Sequence, residues 1–424
     1  MTEEFLHHIW KFKLFDLNGL MTTSSEEVDI VNAGEHNFHS GPDFFNAKIR
    51  VGGTLWAGNV EVHVNASDWN KHNHQHDKAY DNIILHVVNN ADEKIFRSSG
   101  EEIPTIELKS RIRRKLLDNY LDFKSSNGWV SCERNISHVP GLILNSTIDK
   151  LLVERLESRS VSLLQRLRLT NNDWEECFYQ LLARSFGFKI NADPFELLSK
   201  SVSYHTINKH KNSLFQVEAL LFGQAGLLEK HFEDKYPASL QNEYVFLKRK
   251  IGLKSLDSHL WKFLRLRPSN FPTVRIAQFA SLLNNSSCLF SKILEADSIE
   301  ALRNLVNVSV SEYWHTHYLF DKVSGRKNKT IGEPGIDIII INTIIPFLFV
   351  YGRQMAEDKY SERALDFLHW IGPESNSITE SWKRLGIPLE NAGTSQALLQ
   401  LKNEYCSKKR CLDCNVGNYV LKNS

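Results

Sequence analysis

GPDFFNAKIRVGGTLWAGNVEVH, residues 41–63, sets Asp43 eighteen residues ahead of Glu61, with Gly52-Gly53 between them. Before the glycine pair, Ala47, Ile49 and Val51 alternate with Asn46, Lys48 and Arg50. After it, Val60, Val62 and Val64 alternate with Asn59, Glu61 and His63. A period of two on both sides of a Gly-Gly turn predicts a β-hairpin with one apolar and one polar face. Glu61 and His63, two apart on one strand, share a face. A two-residue turn on the glycines sets Asn46 opposite Asn59 and Phe44 opposite Glu61, so that Asp43 opposes Val62 and points the wrong way. One bulged residue, placed at Gly58, brings Asp43 round to Glu61.

Hydrolysis of a phosphodiester with Mg²⁺ or Mn²⁺ requires hard oxygen ligands that converge, and a group that positions the attacking water and steadies developing charge. Asp43 and Glu61 are the candidate carboxylates, with His63 beside them. The plain alternative makes Glu61 and His63 the wet face of a half-exposed hairpin and Asp43 a turn residue. A rival pair, Asp92 with Glu107-Leu108-Lys109, runs straight into the basic segment KSRIRRKLL and has no later strand to complete a core. His72, His74 and His76 alternate in NKHNHQHDK, and imidazoles suit Zn²⁺ or another transition metal. With His63, His86 and Asp77 they offer a hydrolytic site of a second kind; otherwise they are solvated surface. His86 interrupts the apolar strand IILHVV and needs a partner, either Glu61 or a backbone carbonyl.

Around this hairpin the chain reads as helix (3–15), three strands, a polar connection, the strand 82–89 and a further hairpin around Ser99-Gly100. From about residue 110 helical spacing takes over, with breaks at Pro140-Gly141, Pro268–Pro272 and Gly332–Gly335. The organisation expected is an α+β domain at 1–110, a mostly helical domain at 111–400 and a cysteine-rich tail at 401–424. Lys and Arg number 51 against 50 Asp and Glu, so any nucleic-acid footprint is local. Local basic candidates are Lys109, Arg111, Arg113 and Arg114, and, in WKFLRLRPSNFPTVRIAQF, Lys262, Arg265, Arg267 and Arg275. The N-terminus has no basic-then-apolar run of a secretory signal. The apolar stretch Ile336–Tyr351 contains Asp337, Asn342 and Pro346 and reads as a buried helix, with no membrane partner. Six unevenly spaced cysteines fit a reducing, cytoplasmic setting.

Helix, strand, Pro-Asp, strand, Glu-x-basic, helix, strand is an order that resembles the PD-(D/E)XK nuclease core, with His63 standing where that motif has lysine. The resemblance implies a mixed sheet flanked by helices, a Mg²⁺ or Mn²⁺ ion on Asp43 and Glu61, and nucleic acid as substrate. Over nearly its whole length the chain is also similar to a bacterial family known as domain-of-unknown-function family 2851, through GPDFFNAKI, WAGNVEVH, SDWNKHNHQHDKAYDNIILHVV, FQVEALLFGQAGLL and CSKKRCLDCNVG. The function expected is a metal-dependent nuclease-like protein. The alternatives are a catalytically silent nucleic-acid-binding or scaffold protein that keeps the fold, and a His-based metallohydrolase.

Cys406, Cys411 and Cys414 give three thiolates near one another in the tail, and tetrahedral Zn²⁺ or a 4Fe-4S cluster takes four. Cys132, in GWVSCERN, is the candidate fourth, and His86 is the remaining candidate metal ligand. Cys177 and Cys288, in apolar helical contexts, are expected in the core. Glu218, Gln224, His315 and His317 read as interior polar contacts of the helical half.

Overall fold

The computed structural model describes residues 1–286 and 288–423. Contacts divide the chain into two compact units, one made of Met1–Thr147 with Leu401–Ser424 and one of Ile148–Gln400. The tail is therefore part of the first unit, as are the residues between 110 and 147.

In the first unit, helix α1 (Glu3–Lys11) starts at Thr2, whose hydroxyl accepts the Phe5 N–H, and carries Glu3 and Glu4 in its first turn, where carboxylates suit the helix dipole. It buries Phe5, Leu6, Ile9 and Trp10. The Trp10 indole N–H reaches the Ala33 carbonyl at 3.0 Å, and the Phe5 ring stacks on Tyr120 at 4.1 Å. The sheet consists of β1 (Val28–Asn32), β2 (Glu35–His36), β3 (Phe44–Val51), β4 (Thr54–Asn65), β5 (Ile83–Asn90) and β6 (Thr105–Glu107). Its order is β1-β3-β4-β5-β6, with β2 also on β3. β1 and β4 are antiparallel to β3, whereas β5 runs parallel to β4 and β6 parallel to β5. Helix α2 (Asp68–Lys71) and two 3₁₀ turns make the β4–β5 crossover. The alternation in β3 is realised, with Ala47, Ile49 and Val51 inward. β5 is buried on every residue from Ile83 to Val88, as a central parallel strand covered on both faces must be.

The hairpin turns on Gly52-Gly53 in register as far as Ala47 opposite Gly58. Beyond that the expected bulge is present, but on the other strand. Phe44 pairs with Val60, so the extra residue lies in β3, where Asn46 adopts φ +57°. Asparagine tolerates that left-handed conformation. Gly58 serves a different end: a Cβ there would meet Ile84 Cγ2 at 2.5 Å and the Asn82 carbonyl at 2.7 Å, so glycine lets β5 approach. The turn at Ser99-Gly100 also forms, but its ladder is the single bridge Phe96–Glu102, and the chain continues into β6 instead of a second hairpin.

The second unit is helical, apart from a short two-stranded hairpin at His317–Leu319 and Lys322–Val323 that departs from the expected absence of strands after 110. Residues Glu333–Met355 form a continuous helix long and apolar enough to cross a membrane by length and composition, and 72% of its apolar window is buried within the unit. Its ladder loosens into a π turn at Ile340–Ile344, directly before Pro346, which has no N–H to offer a regular α-ladder. The Arg159 guanidinium bonds the Ile341 carbonyl at 3.3 Å and the Asn342 side chain at 2.8 Å in that turn. Cys177 is in the core as expected; Cys288 is not, being exposed at φ +57° ahead of the helix Leu289–Glu295.

Glu218 is fully buried on the helix Leu214–Gln224 and accepts a 2.5 Å bond from the Tyr236 hydroxyl. Burial pushes its carboxyl up to about 7, with Tyr236, Ser311 and Trp314 opposing the rise. Between pH 4.5 and 7 the folded unit then holds a proton that the unfolded chain has lost, so stability falls as pH rises through this window. Glu218→Gln is expected to flatten that slope and to raise the melting temperature at pH 8, a difference on the order of 3 kcal/mol. An unchanged pH profile of thermal unfolding in the variant would show that Glu218 is ionised in the fold.

Candidate metal centre

The extra residue at Asn46 shifts the end of the hairpin by one, so that Asp43 comes opposite Glu61. The two carboxylates interlock through the backbone. Glu61 Oε2 accepts the Asp43 N–H at 3.1 Å, and Asp43 Oδ2 accepts the Val62 N–H at 3.0 Å. From α1, His7 Nε2 lies 3.2 Å from Asp43 Oδ2, and Glu3 Oε1 lies 3.9 Å from His63 Nε2. Glu3 and His7 are one helical turn apart and so face the sheet together.

The crossover after β4 supplies the imidazoles. His72 ends the single turn of α2, Asn73 reverses the chain at φ +63°, and His74 begins the following 3₁₀ turn. That left-handed residue turns His72 and His74 towards one place. His76 is exposed and lies outside the group. His63 Nε2 is 3.2 Å from His72 Nδ1 and 3.7 Å from Glu61 Oε1, and His74 Nε2 is 3.4 Å from the same oxygen. Among the described residues, His63, His72 and His74 form the three-ligand group whose donor atoms all lie within 4.8 Å of one another. Trp69 and Tyr80 wall the site: the Tyr80 ring stacks on His74 at 3.9 Å, and Trp69 meets His74 and His86 edge-on.

His86 is not a partner of Glu61. Its Nε2 lies 2.8 Å from His63 Nδ1, and its Nδ1, fully buried, has no partner. It therefore stands behind His63, fixing that ring and leaving His63 Nε2 towards the acids, the place of a supporting residue to a metal-ligating imidazole. Nor is the polar face of the hairpin wet. Glu61 is 4% exposed and His63 1%, so the reading of these residues as a solvated hairpin face does not hold.

Burial sets the protonation of the group. Burial, reinforced by the Asp43 and Glu3 charges and opposed by the bond from the Asp43 N–H, pushes the Glu61 carboxyl up to about 9. It holds His63 down at about 3, helped by His74 and His72. His74 is lowered by burial and then His72, and His86 is lowered far by burial. His7 goes the other way: burial lowers it, but the bond and charge of Asp43 together outweigh that. At neutral pH His63 and His74 are therefore neutral imidazoles with available lone pairs, beside a Glu61 carboxyl that keeps a proton until a cation replaces it.

Other sequence candidates are distributed differently. Arg111 spends its guanidinium on the carbonyls of Asp16, Asn18 and Gly19, at 3.2, 3.0 and 2.7 Å, and is a loop brace instead of a phosphate contact. Arg275 is buried, bonded to Gln278 and Asn270 and stacked over Phe188. Lys109, Arg113, Arg114, Lys262, Arg265 and Arg267 are exposed, Arg114 beside Asp118. In the rival pair, Asp92 caps the Ser67 N–H and Glu107 the Ala91 N–H, so both are loop ties. Gln224 is an interior contact, accepting from Tyr244 and donating to the Lys254 carbonyl. His317 lies 3.3 Å from Asp234, and His315 sits beside the Lys327 carbonyl.

A family model described as "Protein of unknown function (DUF2851)" matches residues 3–377, and the chain belongs to that family. No curated protein and no solved structure matches it.

The register depends on a residue that accepts positive φ at position 46. Asn46→Gly is expected to keep both thermal stability and divalent-metal uptake. Asn46→Val, which strains that conformation, is expected to lose about 1–3 kcal/mol and to bind metal weakly. Calorimetric titration of both variants checks this; equal binding by the two would dissociate the bulge from the site.

Proposed function

For this member of the DUF2851 family we propose a metal-dependent phosphodiester hydrolase acting on nucleic acid, with its ion on Glu61 and the imidazoles of His63, His72 and His74. The observation that carries the reading is the convergence of those imidazoles on a Glu61 that the β3 bulge sets opposite Asp43. The order α1, β1, β3, β4, α2, β5, with an acid ahead of β3 and another in β4, also favours the PD-(D/E)XK likeness.

His63 is 1% exposed and held by His86, so in this reading it is a ligand and not a substitute for a mobile lysine ammonium. Imidazole donors favour Mn²⁺ or Zn²⁺ over Mg²⁺. An ion there lowers the pKa of a bound water and polarises a phosphoryl oxygen. Asp43, paired with His7 at the rim, is the group that orients the attacking water. Nucleic-acid backbone near this centre would be met by the exposed cations of the same unit, Lys109, Arg113 and Arg114.

The test is cleavage of single- and double-stranded DNA and RNA with Mn²⁺, Zn²⁺ or Mg²⁺, alongside metal-induced change in melting temperature. Glu61→Gln is expected to abolish cleavage and to weaken metal binding by at least about 100-fold. Its metal-free melting temperature should not fall, because the amide replaces a carboxyl that already carries a proton. His63→Lys should lose activity instead of restoring it. Metal uptake without cleavage of any of these polymers would replace the hydrolase by a silent binding protein.

A further inference from the structure

Four of the six cysteines belong to the first unit, none of them among the residues of the proposed hydrolytic centre. Cys406 closes the π turn Leu401–Cys406, Cys411 opens the 3₁₀ turn Cys411–Asp413, and Cys414 follows it. Cys132 begins a turn in which its carbonyl accepts the N–H groups of Asn135 and Ile136, both at 3.0 Å. The tail is clamped onto the segment before Cys132. Lys402 Nζ donates to the Trp129 carbonyl at 2.5 Å, and Lys409 Nζ to the carbonyls of Lys124 and Ser126 at 2.8 and 3.3 Å. The helix Asn415–Asn423 folds back on the second tail cysteine: a Cβ on Gly417 would lie 2.2 Å from the Cys411 carbonyl oxygen.

This docking brings the thiols close enough to influence one another. Ionisation of Cys132 is opposed by Cys414 and Cys411, and that of Cys406 by Cys132, Cys414 and Cys411. No disulfide joins any of them. Burial is the larger influence on each, pushing the Cys132 thiol up to about 12 and raising Cys406 and Cys411. Lys402 and Lys409 on the tail and a bond from Ser131 to Cys411 act in the opposite sense, while Glu4 and Glu133 reinforce the rise.

Spacing discriminates between cations. Zinc–thiolate bonds of about 2.3 Å in a tetrahedron hold the sulfurs roughly 3.8 Å apart. The group of three donors that meets a mutual 4.8 Å limit among the described residues is the histidine set, and the cysteines do not meet it. A cuboidal cluster, with one thiolate on each of four irons, spans a wider set. We propose that Cys132, Cys406, Cys411 and Cys414 ligate a four-iron–four-sulfur cluster. Ligation is an exchange: a preassembled cluster leaves a thiolate carrier, four iron–cysteine bonds form as the carrier's bonds break, and the four thiols release their protons without net electron transfer.

The full chain purified without oxygen tests this. About four irons and four acid-labile sulfides per chain are expected, with a broad visible absorption that Cys406→Ser and Cys132→Ser remove and the exposed Cys288→Ser leaves intact. The wild-type analysis decides the matter even where a ligand variant fails to fold. About one zinc per chain without sulfide would overturn the cluster in favour of a zinc site. Absence of metal, or disulfides among the four cysteines by mass mapping, would overturn it altogether.

Discussion

A single backbone dihedral in β3 determines what the rest of the first unit can do. With Asn46 at φ +57° the hairpin holds one more residue on β3 than on β4, and every residue ahead of it changes face. Asp43 turns from the Val62 position to lie opposite Glu61, its carboxylate takes the Val62 N–H, and its own N–H is taken by Glu61. Without the bulge, one acid would face away from the other and the site would reduce to Glu61 and its histidines. The bulge is therefore a device that re-aims a side chain, the role such irregularities commonly have beside functional sites.

Once Asp43 and Glu61 are aligned, their burial is costly. Two carboxyls and several imidazoles come together between α1, the 66–81 crossover and the sheet, and desolvation opposes the charged forms of Glu61, His63 and His86. The His86 Nδ1 adds an unmet hydrogen-bonding group in the same region. An apolar set of the same shape would be more stable, since buried polar groups left partly unsatisfied cost about 1–3 kcal/mol each. An arrangement that lowers stability while leaving imidazole lone pairs available is what a ligand site requires and a purely structural core does not.

Much of this was legible in the sequence and some was not, for identifiable reasons. The period-two runs around Gly52-Gly53 specify the hairpin, and IILHVV specifies a covered strand, because apolar alternation and continuity report burial directly. The need for a bulge also follows from residue arithmetic, but its strand does not: Gly58 is the more permissive residue by type, and its role in admitting β5 emerges only from the neighbouring Asn82 and Ile84. For the HNHQH run the sequence leaves a metal site and a solvated surface both open, because nothing in its composition reveals that Asn73 turns left-handed and brings His72 and His74 to one point. Nothing in the sequence separates Glu3 and His7 from Glu4 and His8, since either pair is one turn apart and the helix phase is set by packing of Phe5 and Ile9. Arg111 looked like a phosphate contact because three carbonyls waiting for a donor in the 16–19 loop leave no mark in the sequence.

The tail raises a separate question of chain connectivity. Residues 401–424 rejoin the unit begun by residues 1–147 after the entire second unit has been traversed, so the first unit is complete only when both ends of the chain have met. Among the ties across that closure are lysine ammonium groups on carbonyls at Trp129, Lys124 and Ser126, and Asn119 on the Leu421 carbonyl. Each contributes on the order of 1 kcal/mol. Closing so long a loop costs several kcal/mol of chain entropy, growing only logarithmically with its length. Apolar burial of Val416, Val420 and Leu421 and a covalent or coordinate bridge are the two kinds of interaction large enough to offset it. A bridge at Cys132 would act chiefly on the unfolded chain, where constraining a loop of this size is worth about 5 kcal/mol. The placement of three of the four thiols within nine residues of the returning segment puts that constraint on the segment that makes the closure.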